Sequence, residues 1–187
     1  MAAAATVLAS GCGAAPSGPA ASTSPAPDFA WFRAASAPAG WKTLALPDGS
    51  AVMSIPPEAA AAPSDPGSVS AEVDSPSGDL VLYLNATPKQ GDEALATWPE
   101  FRLDHLSDEN GKAATRMASR TGMTFLGGTG SCVSDFYETR AGKRYREIAC
   151  FIQGARGGSV LVAATPDAGW DSEAPLVQQA VDAYAAE

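Results

Sequence analysis

Ser131–Gln153 reads SCVSDFYETRAGKRYREIACFIQ. Two runs of strand-forming residues, Ser131 to Thr139 and Lys143 to Gln153, flank Arg140-Ala141-Gly142. A three-residue hairpin loop calls for a left-handed residue last, a place that glycine fills without steric cost. With Thr139 facing Lys143, each step back along one strand matches a step forward along the other, and Cys132 comes to face Cys150. Alternate pairs counted from the loop put the cysteines at a non-hydrogen-bonded position, where Cα atoms lie about 4.5 Å apart and a disulfide fits. The same register sets Tyr137 against Tyr145 and Glu138 against Arg144, both favourable cross-strand pairs. A structural Cys132–Cys150 disulfide is expected, with two buried thiols as the alternative. A zinc site does not fit two cysteines and a single histidine.

Outward from this hairpin the chain reads as alternating strands and helices. Trp41 to Leu46 and Ala51 to Ile55 alternate around the turn signal Pro47-Asp48-Gly49. Val69 to Val73 and Leu80 to Asn85 flank Pro76-Ser77-Gly78 as a second hairpin, and Pro56 to Gly67 between them reads as a Pro/Ala-rich loop. Asp92 and Glu93 open a helical segment reaching Glu109, in which Thr97 and Glu100 are spaced as a capping box around Pro99. The helix then either restarts at Thr97 or carries Pro99 in its first turns. Lys112 to Leu126 reads as an irregular strand ending in Gly127-Gly128-Thr129-Gly130, a turn or bulge rather than a phosphate loop, because no lysine follows. Ser159 to Ala164 is a short apolar strand. Ser172 can cap a last helix, whose Leu176, Val177, Ala180, Val181 and Tyr184 form one apolar stripe.

The expectation is therefore an α+β domain in the order four strands, helix, four strands, helix. The second four strands form an antiparallel meander, and the helices pack on the sheet. This order resembles the Mog1/PsbP-like fold, which also occurs in actinobacterial lipoproteins of the LpqN type. The resemblance covers Trp41 to Glu187 and carries no diagnostic motif, so it implies a fold and not a chemistry.

The chain has 187 residues and a formal net charge of −9, from 21 acidic and 12 basic side chains. No stretch gathers Lys and Arg into a patch able to displace counterions from phosphates, which argues against nucleic acid and against direct adhesion to an anionic bilayer. No run of 18 apolar residues follows the N-terminus, so no transmembrane helix is expected. Met1 to Gly11 is uncharged and mostly small or apolar, and Leu8-Ala9-Ser10-Gly11-Cys12 resembles the lipobox of bacterial lipoproteins. In that family the leader is cut before the cysteine, whose thiol carries a diacylglycerol; the basic end of such a leader is expected upstream of Met1. Gly13 to Pro27 contains only Gly, Ala, Pro, Ser and Thr. It cannot offset its ordering entropy by burial and suits a tether spanning up to about 45 Å at ~3.1 Å per residue. The expected organisation is a leader remnant over 1–11, a lipidated Cys12 with its tether over 12–27, and one domain over 28–187 on the extracytoplasmic face of the membrane. Lipidation of Cys12 also resolves the odd cysteine count and leaves Cys132 and Cys150 to pair.

Chemistry-bearing candidates are few. On a helix continuous from Leu95, Leu95, Trp98, Phe101 and Leu106 span an arc of roughly 140°, and Arg102 and His105 project inside it at ~100° per residue. Either they pack between helix and sheet with hydrogen-bonded tips, or they grip an anionic or polar ligand in a pocket under the helix. Asp135 and Glu147 face each other in the hairpin register, which is unfavourable for like charges unless a cation, a raised pKa or a nearby lysine compensates. They read as a solvated sheet face or as paired catalytic carboxylates; a register shift of one would also account for them. Asn85-Ala86-Thr87 matches a glycosylation sequon by chance, and Asn85 and Pro88 end a strand. No G-x-S-x-G, metal cluster or cofactor motif occurs. The expected role is a non-enzymatic envelope lipoprotein, anchored to the membrane by lipid and presenting a binding or accessory domain to an envelope protein or small ligand. The alternative is an enzyme or ligand carrier using a pocket near Arg102 and His105.

Overall fold

The computed structural model describes residues 29–187. Cys12, the leader remnant and the tether lie outside the described residues. The fold is α+β. Chain order is β1 (Lys42–Ala45), β2 (Ala51–Ile55), β3 (Ala60–Ala62), β4 (Val69–Asp74), β5 (Leu80–Pro88), α1 (Trp98–Asn110), β6 (Thr115–Phe125), β7 (Gly128–Glu138), β8 (Arg144–Gly154), β9 (Gly157–Pro166), α2 (Trp170–Asp182) and β10 (Ala185–Ala186). Seven strands form an antiparallel sheet in the order β3-β4-β5-β9-β8-β7-β6, while β1, β2 and β10 make a small second sheet. The four strands after α1 are the expected meander. They start at the far edge and return to β5, so α1 is the crossover that carries the chain across one face of the sheet.

The expected order of four strands, helix, four strands, helix is corrected at two places. A fifth strand precedes α1, because Ala60–Ala62 of the supposed loop pairs with Ser70–Glu72. A short tenth strand closes the chain, Ala185 and Ala186 pairing with Val52 and Ala51. The β7–β8 register is as derived from the loop: Cys132 faces Cys150, Asp135 faces Glu147, Tyr137 faces Tyr145 and Glu138 faces Arg144. Gly142 is left-handed, at φ +78°. The Cys132–Cys150 disulfide is formed, with Cα atoms 4.1 Å apart.

Alternation decides which residues meet which layer. Leu82, Leu84, Ala86, Cys132, Ile148, Cys150, Ile152, Leu161 and Ala163 are buried on one face against Val177, Ala180, Val181 and Tyr184 and against Met53 and Ile55. The expected stripe of α2 therefore faces the core. Its cap is different: α2 opens at Trp170 from a 3-10 turn over Asp167–Gly169, and the Ser172 hydroxyl donates to the Gly169 carbonyl from inside the first turn. Phe29 and Phe32 complete this layer, with Phe32 4.7 Å from the Phe125 ring. The Gly127–Gly130 run is a tight connection whose glycines make room rather than bind. A Cβ on Gly127 would lie 1.9 Å from the Ala186 carbonyl oxygen, and one on Gly130 would strike the Phe125 ring at 2.4 Å. The opposite face carries a smaller cluster of Trp98, Val133, Ala149, Phe151, Val160, Val162 and Ala164, which seats α1.

Candidate functional site

The helix α1 starts at Trp98 with Pro99 in its first turn, not at Asp92. Proline is tolerated there because the first helical N–H groups have no partner inside the helix. Thr97 is the N-cap, but neither it nor Glu100 makes the expected capping box, and Glu100 instead pairs with Arg116 on β6 at 2.9 Å. Two contacts fasten the helix to the sheet. The indole Nε1–H of buried Trp98 donates to the Ala149 carbonyl at 2.9 Å. One turn on, Arg102 donates from Nε and Nη2 to the two carboxylate oxygens of Glu147, at 2.7 and 3.0 Å.

This bidentate pair corrects the reading of Asp135 and Glu147 as a solvated face. Both are fully buried beneath α1. Glu147 is gripped through both oxygens by the guanidinium fork, which is itself only 14% exposed. Asp135 has no hydrogen-bond partner on either oxygen. Burial first, then the neighbouring Glu147 charge, push its carboxyl up to about 9, while Arg102 pulls weakly the other way. Asp135 is therefore neutral at pH 7, which relieves the like-charge opposition. Burial and the Glu147 charge likewise push the Tyr137 phenol up; burial works against the Arg102 charge, but the Glu147 carboxylate outweighs it and raises the guanidinium further. One cation and one anion thus balance beneath the helix.

The helix covers only the β7–β8 side of this face. Beyond its flank the sheet floor is polar, because β5 presents Tyr83, Asn85 and Thr87 to this side while Leu82, Leu84 and Ala86 face the core. These residues are bonded to one another and to β4 next door. Asn85 Nδ2 donates to Ser70 Oγ at 2.9 Å, Thr87 Oγ1 donates to Asn85 Oδ1 at 2.9 Å, and Thr87 and Ser68 share a hydroxyl contact of 2.9 Å. Between this floor and the helix lies an open cleft of about 360 Å³, lined by Trp98, Phe101, Arg102 and His105 of the helix and by the loop residues Asp65, Gln90 and Glu93. Two adjoining hollows, about 270 and 370 Å³, share Asn85 and Tyr83 with each other and extend the cleft along the sheet. This is within the size range of small-ligand sites.

The structure brings together Arg102, Asp135 and Glu147, but His105 differs from the packed reading. Its side chain is 58% exposed at the rim, 3.9 Å from Glu109. The cleft residues Asp65, Asn85, Thr87, Gln90 and Glu93 were missed. The available signal is Asn85-Ala86-Thr87, a polar–apolar–polar alternation that belongs to an internal strand and not to a strand end. Asn85 lies well inside β5.

No group of His, Cys, Asp and Glu suited to a metal ion occurs among the described residues. No described helix is long and apolar enough to cross a membrane. No protein-family model matches the sequence. No curated protein matches it either. Among solved structures, a protein of unknown function from Pseudomonas aeruginosa, PA94, superposes with a TM-score of 0.50 at 15% identity, over 76% of this chain and 94% of that one. A Bacteroides thetaiotaomicron protein gives 0.48 at 13% identity over 79% of this chain and 49% of its own. LpqN of Mycobacterium tuberculosis, described as involved in cell envelope biogenesis, gives 0.37 at 15% identity over 80% of this chain and 79% of its own. The likeness to PA94 is one of fold alone.

Proposed function

We propose that this chain is an exported, lipid-tethered binding module of Mog1/PsbP-like build, which holds a small ligand in the cleft beside α1 on the extracytoplasmic face of the membrane. The observation that carries the binding reading is the half-covered sheet. A polar, internally bonded floor is left open beside a helix that is fixed in place, where an ordinary domain core would be closed and apolar. Binding is favoured over turnover because the paired carboxylates are unavailable for acid–base chemistry. Glu147 is committed to Arg102 through both oxygens, and Asp135 is sealed from solvent. A general acid or base must reach the proton it moves. The tether and Cys12 supply the membrane address, resting on the lipobox resemblance.

Native mass spectrometry of the protein extracted from its host membrane in mild detergent tests both parts. Acyl mass on Cys12 and a bound small molecule are expected. Asp65→Trp, at an exposed loop position bordering the cleft, should block the small molecule and leave the fold intact. An unmodified Cys12 thiol overturns the anchor. A ligand retained in the Asp65→Trp variant overturns the site.

A further inference from the structure

We infer that the cleft selects a ligand bearing a positively charged ammonium group. This rests on the reading of the cleft as a ligand site and adds the chemistry it takes. The guanidinium of Arg102 is the obvious anion receptor, but its Nε–Nη2 edge is committed to Glu147. Its charge is already balanced. His105, the other candidate for gripping an anion, stands at the exposed rim beside Glu109.

The charges left over are negative. Asp65 and Glu93 both line the main cleft, and neither forms an ion pair among the described residues. Glu93 is buried, at 8% exposure, and is fixed by the backbone N–H groups of Gly91 at 2.7 Å and Gln90 at 3.4 Å. A desolvated carboxylate held by amides alone and bordering a cavity gains most from a cation arriving in that cavity. The helix side of the cleft carries Phe101, 37% exposed and stacked on Trp98 with ring centroids 5.9 Å apart. A ring supported from behind with an accessible face attracts an ammonium by cation–π interaction. An anion entering the same space would meet two carboxylates that lack a cationic partner, Glu93 buried and Asp65 exposed at the mouth, and a neutral ligand would gain nothing from their charge. The net charge of −9 steers cations toward the protein at long range.

An ammonium group reaches such a cleft on a free polyamine or on a lysine side chain of a partner protein, and the test separates the two. Trp98 lines the cleft, and its indole N–H, bonded to the Ala149 carbonyl beneath the helix, serves as the NMR reporter. Spermidine, Nα-acetyl-lysine methylamide, citrate and sorbitol are titrated at low and moderate salt. A Trp98 shift with one or both amines, weakening on salt addition, and no shift with citrate or sorbitol is the expected result. Saturation by spermidine alone points to a free polyamine, and saturation by the lysine amide points to a protein side chain. Glu93→Gln and Asp65→Asn should each weaken amine binding about tenfold, as loss of one charge-assisted contact does. Phe101→Leu, at an exposed ring that does not hold the fold, should weaken it about threefold. Amine affinity unchanged in the two carboxylate variants overturns the charge selection. Citrate or sorbitol shifting Trp98 where the amines do not overturns it too, while leaving the cleft as a binding site. If no probe moves Trp98, both the selection and the binding reading fall.

Discussion

Asp135→Asn turns a titrating buried carboxyl into a neutral group of the same shape, and the pH dependence of stability should change with it. In the folded protein the carboxyl is pushed up to about 9 by burial and by Glu147. Unfolded, it returns to the ordinary range near 3.9. Between those values the native state holds a proton that the unfolded state has released. Stability therefore falls as pH rises through this window, by at most about 1.4 kcal/mol per pH unit. From pH 5 to pH 7 that is about 3 kcal/mol, present at the acid end and lost toward the alkaline end. Asp48, Glu100 and Glu138 are shifted downward, so their contributions are complete above pH 5 and flat across this interval. The groups facing Asp135 are Arg102 from α1, Glu147 from β8, Tyr137 on its own strand and Arg116 paired from β6. Neither arginine titrates here. Urea unfolding followed by tryptophan fluorescence at pH 5, 6 and 7, with the disulfide intact, measures the difference. The variant's advantage over the natural protein should grow by about 3 kcal/mol across the series. Any packing penalty from the amide is independent of pH and drops out of the slope. Parallel curves for the two proteins would show that Asp135 is ionised in the native state and would refute the reasoning.

The neighbouring ion pair predicts a larger single-site loss. Arg102→Met leaves Glu147 buried and unpaired and should cost about 3–5 kcal/mol, while Arg102→Met with Glu147→Leu should recover most of it, both read by urea unfolding at pH 7. Replacing Cys132 and Cys150 together by alanine opens a loop with sequence separation 18 and should cost roughly 3 kcal/mol, measured as a drop in Tm without reductant. Gly127→Ala combines a left-handed φ of +72° with a Cβ driven into the Ala186 carbonyl, so it should cost more than about 2 kcal/mol and expose the C-terminal strand to proteolysis.

What the sequence made legible was local. The β7–β8 register follows from a three-residue loop with a left-handed Gly142, and every pair it implied is present, the disulfide included. The stripe of α2 was legible because one strongly apolar face leaves few choices. Asp135 and Glu147 show the limit. Their pairing was readable, but which face of the hairpin would be covered depends on where α1 lands after crossing from β5, and no residue of the hairpin encodes that. His105 failed for a related reason. Periodicity points it toward the sheet, but the helix covers only part of that face and His105 stands exposed at the rim. Phe101 and His105 overhang the open part, and the width of a covered face is a tertiary quantity that a helical wheel does not contain.

This geometry also decides which residues can diagnose ligand binding. Arg102 and Trp98 line the cleft and at the same time fasten its wall to β8, through Glu147 and Ala149. Removing either loosens the helix, changes the width of the cleft and weakens any ligand, whether or not the side chain touches it. Loss of binding in an Arg102 variant is thus the outcome expected from a structural role alone. Asp65, Glu93 and Phe101 border the same space without tying the helix to the sheet, so their substitution reads contact with the ligand. A site built on a fastened helix divides its residues in this way. Those that set the shape belong to stability measurements, and those that meet the ligand belong to affinity.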